Sequence, residues 1–150
     1  LGLGVGMWLQ ILFQYPRNVF PEMNVASLLK YVKVSAIRPI PCMLRGKIIG
    51  RGVPGLLWSE DFVMQDDTGI IFLDYRQPLR FWEFLFGLLR GAQLQQEPVT
   101  ITGWYRRAPV PYVELATLTT QDGTRRCYTS HVKFAFSILF ITAGLVLILM

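Results

Sequence analysis

The last seventeen residues, 134–150, carry no charged side chain and read FAFSILFITAGLVLILM. About 20 apolar residues span a bilayer, with a range of roughly 17–25, so this length is enough for a transmembrane helix. A core helix of a small globular domain needs an apolar stripe, not an apolar surface all round. We therefore expect a transmembrane helix here. Arg125, Arg126 and Lys133 precede it, which places the preceding domain on the cytoplasmic side of the membrane by the positive-inside rule.

The amino-acid composition limits the class of protein to which the rest of the chain can belong. Of its 150 residues, 52% are hydrophobic and 17% are charged, whereas soluble domains average roughly 25% charged residues. These values exclude a disordered chain and favour one small folded domain with membrane segments. The net charge of +5 is a modest excess that anionic lipid headgroups explain as well as nucleic acid does. Because the sequence starts in an apolar stretch without an initiator methionine, we expect a C-terminal piece of a longer protein.

The chain has few residues that could bind a metal or form a disulfide. It contains one histidine and two cysteines, and a catalytic zinc ion usually needs about three protein ligands. We therefore predict no metal site, no cofactor and no self-contained zinc enzyme. His131 is interpreted as an interfacial or helix-capping residue. Cys42 and Cys127 could approach each other if the first and fifth strands of a barrel are neighbours, but a cytoplasmic domain keeps its thiols reduced.

The N-terminal region divides into an apolar stretch and a linker. Residues 1–16, LGLGVGMWLQILFQYP, are short for a bilayer span and predict a partial membrane helix. Gly2, Gly4 and Gly6 lack the strand–loop–helix context of a phosphate-binding loop and are more typical of close helix packing in a membrane. Residues 17–38 are predicted to be a linker with a short helix around 25–32.

Residues 39–120 have the pattern of a β domain with one helix. Side chains that alternate in character with a period of two residues predict strands. The motif Asp66-Asp67-Thr68-Gly69 is typical of a turn. A proline near the start and a glycine after the end predict a helix over 78–90. The predicted strands are 44–49, 62–65, 70–75, 99–104 and 112–118. Residues 121–133 are predicted to be a basic juxtamembrane segment.

This element order predicts the fold. Five strands with a helix between the third and fourth are typical of the OB-fold, a small, partly open Greek-key barrel. Glycines inside strands, here Gly46 and Gly103, suit the sharp coiling of such a barrel. We therefore expect a mainly-β protein, with a five-stranded OB-like barrel flanked by transmembrane or membrane-associated helices.

Several short motifs resemble a known family. They are LRGKIIGRG at 44–52, SED at 59–61, QDDTG at 65–69, FLDY at 72–75 and GWYRR at 103–107. Through these motifs, residues 1–120 resemble the C-terminal region that follows the protease domain in some membrane-bound zinc metalloproteases of the HtpX type. That family implies a zinc-binding His-Glu-x-x-His helix and a downstream Glu, which this sequence lacks. No catalytic residue or metal ligand therefore transfers to this chain.

What the resemblance does imply is an accessory role. We expect a non-catalytic, membrane-tethered OB-like domain that docks on, or regulates, an attached or associated membrane protease. A first alternative is a stand-alone membrane scaffold similar to NfeD-type proteins. A second is a nucleic-acid-binding OB domain, with Trp104, Arg106 and Arg107 beside basic residues of the first strand. A membrane tether makes oligonucleotides awkward ligands, so nucleic acid is the least favoured partner.

Two surfaces are predicted to make contacts. Arg106 and Arg107, followed by prolines at 109 and 111, are predicted to form an exposed loop that contacts the protease or anionic lipid. The helix over 78–90 carries more apolar surface than a barrel-capping helix needs. We expect one flank of this helix to cap the barrel and the other to lie in the bilayer interface; the interfacial residues would be Phe81, Phe84 and Leu88.

Overall fold

The computed structural model describes residues 1–16, 19–51, 62–75, 97–107 and 110–149. The predicted helix over 78–90, with Phe81, Phe84 and Leu88, lies outside these residues. The described helices are α1 (Gly2–Gln14), α2 (Val25–Leu29) and α3 (Thr129–Leu149). The strands are β1 (Ile40–Arg51), β2 (Phe62–Gln65), β3 (Ile70–Asp74), β4 (Pro98–Arg107), β5 (Pro111–Thr120) and β6 (Gly123–Arg126).

The first five strands close into a barrel. The described strands form one sheet in the order β3-β2-β1-β4-β5-β6, and a parallel pairing of β3 with β5 closes the first five of them into a ring. The long β1 makes this closure possible, since residues 40–47 pair with β4 while residues 47–51 pair with β2. This is the predicted OB-like architecture, a closed mixed five-stranded barrel.

Alternation along β1 explains how the sequence fills this barrel. Cys42, Leu44 and Ile48 point inward and are fully buried, because successive side chains of a strand face opposite sides of the sheet. Gly46 occupies an inward position between them, where an added Cβ would collide with the carbonyl oxygen of Gln65. A side chain at this position would therefore push β2 away from β1.

One end of the barrel is covered by α2. Val25 and Leu28 are fully buried in the barrel core, so this part of the predicted linker packs as a lid. The turn between β2 and β3 holds the helix in place. Asp66 Oδ2 accepts a hydrogen bond from Val25 N at 2.7 Å, and Thr68 Oγ1 accepts one from Ala26 N at 3.0 Å.

The segment between the barrel and the apolar helix contains a strand that the sequence analysis did not predict. β6 pairs antiparallel with β5 from Thr117 to Thr120, after a tight turn over residues 121–122. Gly123 ends this turn with a φ of 138°, a backbone conformation that favours glycine. α3 then begins at Thr129, five residues before the apolar run itself.

The two apolar helices pack against each other. Gly4 of α1 lies against α3 so closely that a Cβ there would be 2.7 Å from the amide nitrogen of Ile141. Leu1 contacts Gly144, whereas the other end of α1 contacts Lys133 through Tyr15. Because the start of α1 lies beside the end of α3, and the end of α1 beside the start of α3, the two helices are antiparallel. The close helix packing predicted from the three N-terminal glycines occurs at Gly4, whereas a Cβ added at Gly2 or Gly6 would meet no atom within 4 Å.

Only α3, among the described helices, is long and apolar enough to cross a membrane. Its 21 residues extend roughly 31 Å at 1.5 Å per residue, close to the roughly 30 Å hydrocarbon core of a bilayer. Outside the side that packs on α1, most of its apolar residues are exposed. The predicted apolar C-terminal helix is therefore present, and its surface is free to face lipid.

Candidate functional site at the junction of barrel and helices

Four polar side chains meet where the helix pair joins the barrel. Tyr15 follows the last turn of α1, Arg106 and Glu114 lie on the adjacent strands β4 and β5, and Lys133 lies near the start of α3. We call these four residues the junction cluster. Each comes from a different element, so the cluster connects both apolar helices to the same side of the barrel.

The centre of the junction cluster is an ion pair removed from water. Arg106 Nε lies 2.8 Å from Glu114 Oε2, and the two residues are only 3% and 7% exposed. The Arg106 guanidinium also donates hydrogen bonds to the carbonyl oxygens of Gln14, at 2.8 Å, and Ala36. A charged group buried among apolar atoms is costly unless it is paired and hydrogen-bonded. The Arg106 guanidinium therefore contacts three parts of the chain: Glu114 of β5, the end of α1 and the segment before β1.

Tyr15 extends this network to the apolar helix α3. Its hydroxyl donates to Glu114 Oε1 at 2.8 Å and accepts a hydrogen bond from Lys133 Nζ at 2.7 Å. The Arg106 guanidinium and the Lys133 ammonium lie 5.2 Å and 5.0 Å from the centre of the Tyr15 ring, within range of cation–π attraction. The order of contacts is therefore Lys133, Tyr15, Glu114 and Arg106, from α3 to β4.

Trp104 packs beside the cluster and is buried, at 6% exposure. Its ring makes an edge contact with Tyr15 at a centroid distance of 4.9 Å, and its Nε1 donates to the carbonyl oxygen of Pro16 at 3.1 Å. With Ile11 and Phe20 it forms a second apolar cluster outside the barrel core. Buried aromatic rings of this kind supply both apolar contact and one polar contact.

These positions correct part of the predicted contact surface. Arg106 was predicted to lie in an exposed loop, but it is a buried residue of β4, because Glu114 and two carbonyl oxygens neutralise and bind its guanidinium. Trp104 is not an open stacking platform for a nucleotide, since α1 and the residues after it cover most of its ring. Arg107 is exposed, and it pairs with Pro111 across β4 and β5. Pro109 lies outside the described residues.

A cleft of about 290 Å³ opens next to the junction cluster. We call it the junction cleft. α1, the faces of β4 and β5, the end of β6 and the first turn of α3 surround it. Its lining residues are Ile11, Tyr15, Phe20, Trp104, Ala116, Thr117, Arg126, Cys127, Ser130 and His131.

The two cysteines are buried and do not form a disulfide. Burial raises the pKa of the Cys42 thiol to about 12, against the smaller lowering effect of a backbone hydrogen bond at Tyr105. A thiol that stays protonated at neutral pH is a poor nucleophile. Cys42 therefore serves as a small apolar side chain of the core.

Asp66 has the structural role that the turn motif predicted. Asp66 Oδ1 accepts hydrogen bonds from the amides of Thr68 and Gly69, at 2.7 Å and 2.8 Å, which confirms the predicted turn. Within the described ranges, no three His, Cys, Asp or Glu side chains are grouped as metal ligands would be.

Comparisons with known proteins support no assignment to a family. No family model matches the chain, and no curated protein matches it. Among solved structures, the hypothetical protein ygiW from E. coli is 16% identical, with a TM-score of 0.45, and the alignment covers 69% of this chain and 99% of that one. The S. pombe Stn1-Ten1 complex is 9% identical, with a TM-score of 0.42 and coverages of 70% and 79%.

Sequence reasoning missed three members of the junction cluster, namely Tyr15, Glu114 and Lys133. One signal was available for Glu114, because it is the only charged residue of an otherwise apolar or hydroxyl-bearing strand, β5. An acid in such a strand needs a buried partner. The pattern does not identify that partner, since Tyr15 is 99 residues away in the chain.

Proposed function

We propose that this chain is a non-catalytic, membrane-anchored OB-fold interaction module. In this proposal α3 spans the bilayer, α1 packs beside it, and the barrel faces the cytoplasm. The junction cluster is the observation that carries the proposal. A domain that only needed a tether could hang from a flexible linker, whereas here an ion pair and two hydrogen bonds to Tyr15 connect the barrel to both helices. Such a connection holds one face of the barrel in a constant orientation above the membrane.

The partner we propose is a membrane zinc metalloprotease, attached to this chain or associated with it. The support is the sequence resemblance to the region that follows the protease domain in HtpX-type enzymes. A module in a constant orientation suits such a partner, because a rigid surface loses less conformational entropy on binding than a mobile one does. Among the predicted contact residues that the structure describes, Arg107 is exposed, whereas Trp104 and Arg106 are buried.

Site-specific photo-crosslinking in native membranes tests the partner. A photoreactive amino acid replaces Arg107 in one variant and Asp122, at the exposed tip of the β5–β6 hairpin, in the control. Crosslinked products are identified by mass spectrometry. We expect a membrane metalloprotease to be crosslinked from position 107 and not from position 122.

Two outcomes would contradict the proposal. If neither position crosslinks to a protease while the chain remains in the membrane fraction, the protease role is wrong and a stand-alone scaffold of the NfeD type becomes the better account. If the purified chain, supplied with Zn²⁺, cleaves casein by itself, the non-catalytic assignment is wrong.

A further inference from the structure

The junction cleft has two chemically different walls. The inner wall is apolar and aromatic, with Ile11, Phe20 and Trp104. The outer wall is polar and comes from β6 and the first turn of α3, with Arg126, Ser130 and His131. No described residue of the lining carries a carboxylate, so the fixed charge on this wall is the positive one of Arg126.

Strand pairing explains why Arg126 faces the cleft. Arg126 pairs directly with Thr117 of β5, and residues paired across two strands lie on the same face of the sheet. Thr117 also lines the cleft. Arg125 pairs with Leu118 and therefore lies on the opposite face of β6. Two adjacent arginines thus point to different sides, and one of them belongs to the cleft.

The cleft lies at one end of the transmembrane helix. Ser130 and His131 belong to the first turn of α3, and the uncharged run starts three residues after His131. Tyr128, which precedes α3, is exposed and packs its ring edge-on against His131 at a centroid distance of 5.9 Å. Exposed tyrosines beside a membrane helix are typical of the headgroup level.

We propose that the junction cleft binds the headgroup of an anionic glycerophospholipid. The phosphate would lie between Arg126 and the Ser130 and His131 side chains, and the glycerol end would rest on the aromatic inner wall. A guanidinium suits this task because its planar fork donates two parallel hydrogen bonds to phosphate oxygens. At about 290 Å³, the cleft is at or below the small end of the range for drug-sized ligands, so it holds a headgroup while the acyl chains extend along the helices.

This inference rests on the proposed insertion of α3, and the experiment separates the two. The full chain is reconstituted into nanodiscs of phosphatidylcholine containing 20% phosphatidylglycerol. Native mass spectrometry after detergent release then counts the lipids that stay bound. We expect one phosphatidylglycerol retained in preference to phosphatidylcholine. Millimolar inorganic phosphate tests the other source of the same chemistry and should not displace this lipid.

Substitutions locate the site. Arg126→Gln should weaken phosphatidylglycerol retention about tenfold, and Ser130→Ala a few-fold. Arg125→Gln is the matched control, because it removes the same charge from the neighbouring position on the opposite face of β6, and it should change retention less than twofold. Thermal unfolding of each variant, measured in the same detergent, identifies any loss that comes from misfolding.

Four results would overturn the proposal. Equal losses for Arg126→Gln and Arg125→Gln would show a general charge effect and no site. Displacement of the lipid by inorganic phosphate would show an anion site that is not specific for lipid. If the chain enters nanodiscs but retains no anionic lipid, the proposed headgroup site is wrong, whereas the proposed membrane insertion of α3 is supported. If it fails to enter nanodiscs at all, both are wrong.

Discussion

Glu114 illustrates how one residue can determine where a domain sits on its helices. Its carboxylate is shared between the Arg106 guanidinium and the Tyr15 hydroxyl. A buried ion pair adds little net stability compared with a pair of apolar residues of similar size. Removing one partner, however, leaves the other charge buried and unpaired. We therefore expect the Arg106–Glu114 pair to disfavour any arrangement of barrel and helices that leaves one of the two charges buried without its partner.

The first prediction concerns this pair. Glu114→Gln removes the counter-ion and leaves the Arg106 guanidinium buried, so we expect the free energy of unfolding to fall by about 3–5 kcal/mol. Urea denaturation of the full chain in detergent micelles measures this loss.

Glu22→Gln is the control for that prediction. Glu22 pairs with Arg45 at 3.1 Å, but the two side chains are 56% and 64% exposed. An exposed pair is worth about 0–1 kcal/mol, so the same substitution should have little effect there. Similar losses for the two variants would contradict the assignment of Glu114 as the buried centre of the junction.

At the residue scale, the sequence predicted local features well and distant contacts poorly. The turn over 66–69 was predictable because Asp and Gly act there on their own backbone neighbours. The burial of Trp104 and Arg106 was not, because it depends on α1 and the residues after it, which lie some 90 positions away in the chain. A pattern within β4 contains no information about what covers it.

The Asp66 turn couples two elements, α2 and the β2–β3 hairpin. Burial raises the pKa of Asp66, but together the hydrogen bonds donated by Val25, Thr68 and Gly69 have the larger effect, and the pKa lies below its ordinary value of 3.8. A carboxyl whose pKa is lower in the folded state stabilises the fold at every pH above its unfolded value. That stability is lost as pH falls through the folded value.

The second prediction follows from this sign. The urea midpoint of the full chain should fall as pH decreases below about 4, and Asp66→Asn should reduce the size of this fall by removing the titrating group. Asp67→Asn provides the control, because Asp67 is the next residue of the turn and makes none of the described contacts with α2. An unchanged pH profile in Asp66→Asn would contradict the role of the carboxylate in holding the helix.

At the element scale, strands with clear alternation were predictable and short irregular ones were not. β2 was predicted with the bounds that it has, and β3, β4 and β5 within a few residues. β6 escaped prediction because its four residues, Gly123–Arg126, show no apolar alternation. It forms because β3 pairs only with residues 112–114 of β5, so the same edge of β5 is open at residues 117–120 and pairs with β6.

The charge distribution along the whole molecule predicts its orientation in the membrane. Arg125, Arg126 and Lys133 lie at the barrel end of α3, and its last turn contains no basic residue. Basic residues flanking a transmembrane helix are retained on the cytoplasmic side. The barrel should therefore face the cytoplasm, and the distal end of α3 should face the other side.

Cysteine labelling of intact cells with a membrane-impermeant maleimide tests this orientation. Asp122→Cys places a thiol at the exposed hairpin tip, and Leu149→Cys places one at the exposed distal end of α3. We expect labelling at 149 in intact cells and at 122 only after permeabilisation. The parent chain is the control, since its two thiols are buried and should react slowly in both conditions. The reverse pattern would place the barrel outside the cell, and labelling of both positions in intact cells would mean that α3 does not cross the bilayer.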